Sequence, residues 1–337
     1  MPQDKTGSQL GLFAGDSTGA ALLGSKGVAP TTPLPEHLAL RARLPLGVRL
    51  GTSSWSFPGW HGIVYDRIAS ESVLARTGLA AYAAHPLLGT VSVDRSYYAP
   101  LTAAQFREYA DAVPAEFRFV VKADRLLTSP LDPETRGVRA ANPRFLDADY
   151  ATTEVIGPTM EGLGAKAGPL VFQFPPFASS AVGGRGAFLE RLHRFLEVLP
   201  KGHSYAVELR TPAFITRDYA ALLEATGVAH CYNVHPTSAL LARQLEHVQA
   251  YQQPVLVVRW MLGGGQEYVA AKTRYAPFDR LVDEDPASRE LIARAVLDAS
   301  LAERDAFVIV NNKAEGSAPL SVFRLAERIG TWGNASR

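Results

Sequence analysis

The chain has 337 residues, 47% of them apolar and 20% charged, and 34 lysines and arginines against 33 acids leave a net charge of +1. That composition excludes wholesale disorder, and the charge balance gives no overall pull toward nucleic acid or an anionic membrane. The single cysteine, Cys231, excludes an intramolecular disulfide and a cysteine-cluster metal site. No run approaches the roughly 18 apolar residues of a membrane span. The start lacks a basic stretch followed by an apolar core and cleavage site, so a cytoplasmic location and no membrane contact are expected.

Residues 1–46 are rich in Gly, Ser, Thr, Ala and Pro, and the run from Gly27 to Pro35 has neither helical nor strand period. Proline lacks the backbone donor and restricts its predecessor, so this reads as a flexible or loosely docked segment. Leu10, Leu12 and Phe13 offer a short arm that could dock on the body. The body is expected over 47–330, as one domain, with a tail at 331–337.

From there, short β-branched or aromatic runs alternate with stretches of helical period. A strand at 48–52 is followed by a helix at 70–84, and a strand at 90–93 by a helix at 102–112 with Thr102 as its N-cap. Strands follow at 117–121 and 170–174. The helix at 187–199 places Phe188, Leu192, Phe195, Leu196 and Leu199 on one face. A strand at 205–208, a helix at 216–225 and a strand at 229–233 come next. A weakly marked helix at 238–251 leads to a strand at 255–259, then a helix at 288–302, a strand at 306–311 and a helix at 319–329. Regular strand–helix alternation predicts parallel strands with crossover helices. Eight of them predict a closed (β/α)8 barrel of the TIM type rather than an open doubly wound sheet. No strand leads into a G-x-G-x-x-G turn, and polar residues recur at nearly all eight strand ends instead of at one switch point.

In such a barrel every strand C-terminus opens on one face, where active sites sit. Strand ends and the residues just beyond them place Trp55, Asp94, Tyr98, Lys122, Gln173, Glu208, Arg210, Asn233, His235, Arg259, Asn311 and Asn312 at that rim. Charges closing buried apolar runs need partners or ligands. Glu208 is the candidate general base or metal ligand, kept ionised if Lys122 and Arg259 are close. Asp94 is the second carboxylate, and His235 is a candidate acid–base group or ligand. Lys122, Arg210 and Arg259 are candidates for holding anionic groups, Gln173, Asn233, Asn311 and Asn312 for orienting hydroxyls, and Trp55 and Tyr98 for lining the site.

No H-x-x-x-H or H-E-x-x-H pair is present, and Lys122 and Arg259 would repel a cation. A divalent metal is therefore the less favoured option, no metal ligand is assigned, and no nucleotide cofactor is expected. Gly263-Gly264-Gly265 after the seventh strand could cradle a phosphate, with Arg259 and Lys313 adding charge; Gly183-Gly184-Arg185-Gly186 is read as a plain loop. Aromatics also crowd the presumed rim: Trp55, Phe57, Trp60, Tyr97, Tyr98, Phe174, Phe177, Tyr232 and Trp260. Ring faces beside basic groups suit sugars or nucleobases. Cys231 lies inside an apolar strand and reads as an inert core residue.

Gly51-Thr52-Ser53-Ser54-Trp55-Ser56-Phe57-Pro58-Gly59-Trp60 resembles the opening motif of the DUF72 (YecE-like) family. The resemblance continues in order through Phe117 to Lys122, Gln173-Phe174-Pro175-Pro176, Val207-Glu208-Leu209-Arg210, Asn311-Asn312 and Gly316-Ser317-Ala318-Pro319. It spans about 48–329 and implies a TIM-type barrel; it carries no reaction. The family pattern after the second strand is V-E-x-N-S-T-F-Y, whereas this chain has Val91-Ser92-Val93-Asp94-Arg95-Ser96-Tyr97-Tyr98. The family's glutamate is Ser92 here and its asparagine is Asp94. The family's T-H after the lysine strand is Thr128-Ser129.

The expected function is an enzyme of hydrolase or isomerase type, rather than an oxidoreductase. Its expected partner is a polar small molecule, anionic (as a phosphorylated compound is) or sugar-like, bound at the C-terminal rim. The alternatives are a nucleic-acid-binding or -processing barrel and a non-catalytic ligand-binding protein with a degenerate site. On the enzyme reading, Glu208→Ala should abolish turnover or binding with little change in melting temperature.

Overall fold

The computed structural model describes residues 27–133, 140–263 and 267–332. All eight runs rich in β-branched and aromatic residues form strands: β1 (Val48–Thr52), β2 (Thr90–Val93), β3 (Arg118–Lys122), β4 (Ala167–Phe174), β5 (Tyr205–Leu209), β6 (Ala229–Val234), β7 (Leu256–Trp260) and β8 (Ala306–Val310). They pair in parallel, in sequence order, into a closed barrel. β1 meets β2 at two register positions, Gly51 with Thr90 and Thr52 with Val91. It meets β8 at five, from Val48 with Ala306 to Thr52 with Val310. Gly51 is required at the β1–β2 seam, because a Cβ there would lie 1.8 Å from the Thr90 carbonyl oxygen.

Successive strand side chains point to opposite faces. Outward residues such as Leu50, Val91, Phe119, Phe172, Val207, Val258 and Val310 join the main apolar cluster under the helices. Inward residues, among them Val120, Val171, Ala206, Cys231, Val257 and Ile309, fill the lumen. Each buried Val, Leu, Ile or Phe contributes about 1.5–3 kcal/mol, so these strands are apolar on both faces and read as near-continuous runs.

The six well-marked helices lie where their periodicity placed them. They span Glu71–Ala83, Ala103–Asp111, Arg185–Val198, Arg217–Thr226, Pro286–Leu301 and Ala318–Trp332. Thr102 closes a capping box with Gln105. The weakly marked stretch 238–251 splits into a helix, Leu241–His247, and a short 3₁₀ turn, Ala250–Gln252, because Val248 takes an extended conformation.

Three longer helical stretches among the described residues differ from the sequence expectation. One runs from Ala148–Tyr150 through a π-helical turn, Ala151–Ile156, into Gly157–Leu163. Pro158 and its neighbouring glycines make it read as loop. The wide π turn lets Pro158 enter the first positions of the next segment, where a missing donor is tolerated. Gly162 permits close packing, since a Cβ there would meet the Ala103 carbonyl oxygen and Phe106 Cβ at 2.4 Å. The second stretch is Tyr268–Tyr275. The third is Pro35–Arg43, within the segment read as linker, with Pro35 at its first turn and Leu40 buried. Leu40 lies against Gly330 of the last helix.

Residues 331–332 belong to that last helix. Residues 1–26 (with Leu10, Leu12 and Phe13), Gly264, Gly265 and 333–337 fall outside the described residues. No helix among the described residues is long and apolar enough to cross a membrane.

Candidate functional site

The alternation that fills the lumen also builds the rim. Two residues above the inward set Gly51, Ser92, Val120, Val171, Ala206, Cys231, Val257 and Ile309 stand Ser53, Asp94, Lys122, Gln173, Glu208, Asn233, Arg259 and Asn311. Each strand therefore ends its inward face on a polar or charged residue. Seven of these eight are the site residues expected at the rim, and Ser53 joins them.

Glu208 is the centre of the cluster and is 0% exposed. Its Oε1 accepts from Asn233 Nδ2 at 2.6 Å and Arg210 Nε at 2.9 Å, and its Oε2 accepts from Arg259 Nη1 at 2.6 Å. Arg259 also donates through Nη2 to Asp94, at 3.1 Å to Oδ2 and 3.3 Å to Oδ1. The guanidinium thus bridges the two carboxylates. Ser92 Oγ donates to Asp94 Oδ1 at 2.6 Å. Burial alone would raise the Glu208 pKa, but Arg259, Arg210 and Lys122 outweigh it and hold the carboxyl at about 2. Glu208 is an anion under all ordinary conditions.

Lys122 closes β3 and is 8% exposed. Its Nζ lies 3.3 Å from the centroid of the Tyr97 ring. Ser96 Oγ shares its single proton between the Val93 and Lys122 carbonyl oxygens, at 2.9 and 2.7 Å, which fixes the turn carrying Tyr97 against the end of β3. Among the described residues, no carboxylate stands within ion-pair distance of this ammonium. The ring face favours the charged form. Burial first, then Arg259, oppose it and bring the Lys122 pKa down to about 7. Burial also pushes the Tyr97 hydroxyl up to about 12, so it stays a phenol.

The remaining candidates divide into two groups. Gln173 is buried and pairs in register beside Glu208. Asn311 donates from Nδ2 to Ser53 Oγ at 2.8 Å and accepts the Lys313 N–H at 3.0 Å. His235 is partly buried, and its Nδ1 accepts from Thr237 N at 3.2 Å. That bond places the imidazole proton on Nε2. Burial, then Arg210, lower the His235 pKa to about 4, so the ring is neutral at pH 7. Lys313 adds an ammonium 4.2 Å from the Tyr268 ring centroid, with a pKa lowered to about 8 by burial and then Lys272.

Asn312 faces away from the charged cluster. Neighbouring residues leaving a strand face opposite ways, and Asn312 points outward. Its Oδ1 accepts from Trp60 Nε1 at 3.2 Å and from the Ala318 N–H at 2.8 Å. Asn312→Ala should therefore cost about 2–6 kcal/mol in urea unfolding, at about 1–3 kcal/mol for each of the two buried donors it strands, with ligand affinity unchanged. Trp55 is buried, edge-on to Tyr109. Tyr98 is half-buried, edge-on to Tyr97. Of the aromatics assigned to the rim, Trp60, Phe174, Tyr232 and Trp260 are wholly buried core. No cluster of three or more His, Cys, Asp or Glu placed to hold a metal occurs among the described residues.

A (β/α)8 barrel whose strand ends carry a bridged network of charges at the C-terminal mouth defines the class of molecule. The chain belongs to the DUF72 family: the family described as "Protein of unknown function DUF72" matches residues 49–336. The chain is similar in structure to a DUF72 family protein from Thermotoga maritima, with a TM-score of 0.56 at 20% identity, covering 83% of this chain and 98% of that one. It is also similar to a DUF72 family protein from Enterococcus faecalis, with a TM-score of 0.56 at 20% identity, covering 84% and 95%. At such identities the likeness concerns the fold. No curated protein matches the chain.

The two departures from the family pattern after β2 are connected in space. The resemblance implies a glutamate at 92 and an asparagine at 94; this chain has Ser92 and Asp94. A two-residue step keeps the same face of the strand, so the acid stays on the inward face, about 7 Å closer to the mouth at roughly 3.3 Å per residue. There it engages Arg259, and Ser92 supports it with a hydroxyl.

Proposed function

We propose that this barrel is an enzyme of hydrolase or isomerase type that acts at its C-terminal rim on a polar, anionic small molecule, phosphorylated or sugar-like. The observation that carries this reading is the buried ammonium of Lys122, which has no ion-paired carboxylate among the described residues and stands beside an already balanced network. Among the described residues of this cluster, Lys122, Arg210 and Arg259 stand against Glu208 and Asp94, and both oxygens of Glu208 are occupied. The surplus positive charge sits at a strand end, where an anion would pair it.

Arg210 spends only Nε on Glu208 among the bonds of the described residues and keeps its terminal nitrogens for the ligand. Arg259 is held between two carboxylates and acts as a fixed post. Glu208, permanently ionised, positions both arginines rather than passing protons. Proton transfer falls to Lys122, whose pKa of about 7 suits either direction near neutral pH, and to Asp94. Asp94, with 21% of its side chain exposed, is the accessible carboxylate. The His235 Nε2–H, Gln173 and Asn233 are suited to orienting hydroxyls.

Thermal shift at fixed ionic strength tests this reading with inorganic phosphate, a hexose phosphate and the parent hexose. The phosphate-bearing probes should stabilise the protein, by about 2.7 kcal/mol at a hundredfold excess over Kd; the neutral hexose should not. Equal responses to all three, or none, would refute the anion site. Tight binding of single-stranded DNA that collapses with added salt would favour the nucleic-acid alternative. Its stacking surface is reduced by the burial of Trp60 and Trp260.

A further inference from the structure

We propose that Lys122 is a covalent catalytic residue that forms an imine with the carbonyl carbon of an anionic aldehyde or 2-oxo acid. The proposal rests on the anion-site reading and names the chemical class of the substrate.

Four observations converge on the amine. Lys122 emerges from a strand end, so its base is rigid. It is buried to 8% exposure and has no carboxylate partner among the described residues. Arg259 and Arg210 are held by Glu208, and their positive charge acts on the amine. The Tyr97 ring covers one side of Nζ and restricts its position. Desolvation beside other cations is the general device for obtaining a neutral, nucleophilic lysine at pH 7. The lowering of its pKa, from burial and then Arg259, agrees with the geometry.

The chemistry balances without an added reagent. The Nζ lone pair attacks the carbonyl carbon, and the carbonyl π pair moves to oxygen. The resulting carbinolamine loses that oxygen with both amine hydrogens as water, leaving C=N. Once protonated, the imine draws electrons from the adjacent carbon. A proton from that carbon passes to Asp94, the C–H pair becomes the enamine double bond, and the C=N π pair returns to nitrogen. Arg210 would hold the carboxylate or phosphate of the substrate throughout. The reaction class is proton shift or bond cleavage next to a carbonyl.

Reductive trapping on the full-length protein tests it. Sodium pyruvate and sodium glyoxylate are each supplied with cyanoborohydride at about pH 7.5, and labelled peptides are quantified by mass spectrometry. Lys122 should be labelled about tenfold or more faster than the exposed Lys201 and Lys272, because an ordinary lysine is almost wholly protonated there. Inorganic phosphate should slow the labelling. Equal labelling of all lysines with both probes, or labelling of Lys313 ahead of Lys122, overturns the imine. If phosphate stabilises the protein while Lys122 stays unlabelled, the anion site stands and the imine falls. If Lys122 is labelled preferentially while phosphate neither stabilises nor protects, the imine stands and the anion site falls.

Discussion

Glu208→Ala should lower Tm by about 10 °C and abolish the response to phosphate. The carboxylate is fully buried and takes hydrogen bonds from Arg259, Arg210 and Asn233. Deleting one member of a buried ion pair costs about 3–5 kcal/mol, because the partner charge is left uncompensated. Each kcal/mol moves Tm by about 2–4 °C in a domain approaching this size. Here Arg259 would keep only Asp94, and Arg210 would lose its acid altogether. The sequence alone led to the opposite expectation, an unchanged Tm, because it could not reveal how many donors converge on this group. Glu208→Gln keeps the shape and one acceptor, so its loss should be smaller. The pH dependence has a definite sign. A carboxyl held at about 2 is depressed below its ordinary 4.5. Its contribution is complete above about pH 4.5 and is lost as pH falls through 2. Acid unfolding of the wild type should therefore steepen between about pH 4.5 and 2, and this component should be missing in Glu208→Gln. A Glu208→Ala protein melting with the wild type would show that the network holds nothing together.

Lys122→Met should do the reverse, raising stability at about pH 6 by about 2–4 kcal/mol while removing phosphate binding. A buried lysine whose pKa falls from 10.5 to about 7 binds fewer protons folded than unfolded between those values. Stability then rises with pH across that window, and the full penalty is present below it. A tenfold change in proton affinity corresponds to about 1.36 kcal/mol. The gain falls short of the full difference on that scale, because the contact of the ammonium with the Tyr97 ring face, worth about 0.5–2 kcal/mol, is lost with the lysine. Methionine fills a similar volume without the penalty. Denaturant unfolding at about pH 6 and pH 9 measures the gap between variant and wild type, which should narrow as pH rises. A gap that is constant with pH, or a destabilised variant, would mean that Lys122 is a structural cation. A more stable variant that no longer binds is the signature of a residue kept for function at the expense of stability.

The eight strands were legible because a parallel barrel buries both faces of each, producing apolar runs with little ambiguity. The charges at their ends were legible for the same reason, since Lys122, Glu208 and Arg259 each close such a run. The 148–163 stretch was not, because Pro158 and its neighbouring glycines are breakers in isolation and only the π turn and the packing against Ala103 and Phe106 make them compatible with helix. Partner choice was also out of reach. Arg259 and Asp94 are 165 positions apart, and only closure of the barrel brings them together. Asn311 and Asn312 are the instructive pair: strand parity, carried one residue further, would have assigned Asn311 to the mouth and Asn312 to the helix layer.

The uneven register around β1 bears on how the protein is made. β1 gains most of its backbone partners from β8 and few from β2. A nascent chain emerging from the ribosome must therefore carry β1 with one long edge open until β8, more than 250 residues later, has been synthesised. Premature termination anywhere before β8 would leave that edge free to recruit other unfinished molecules.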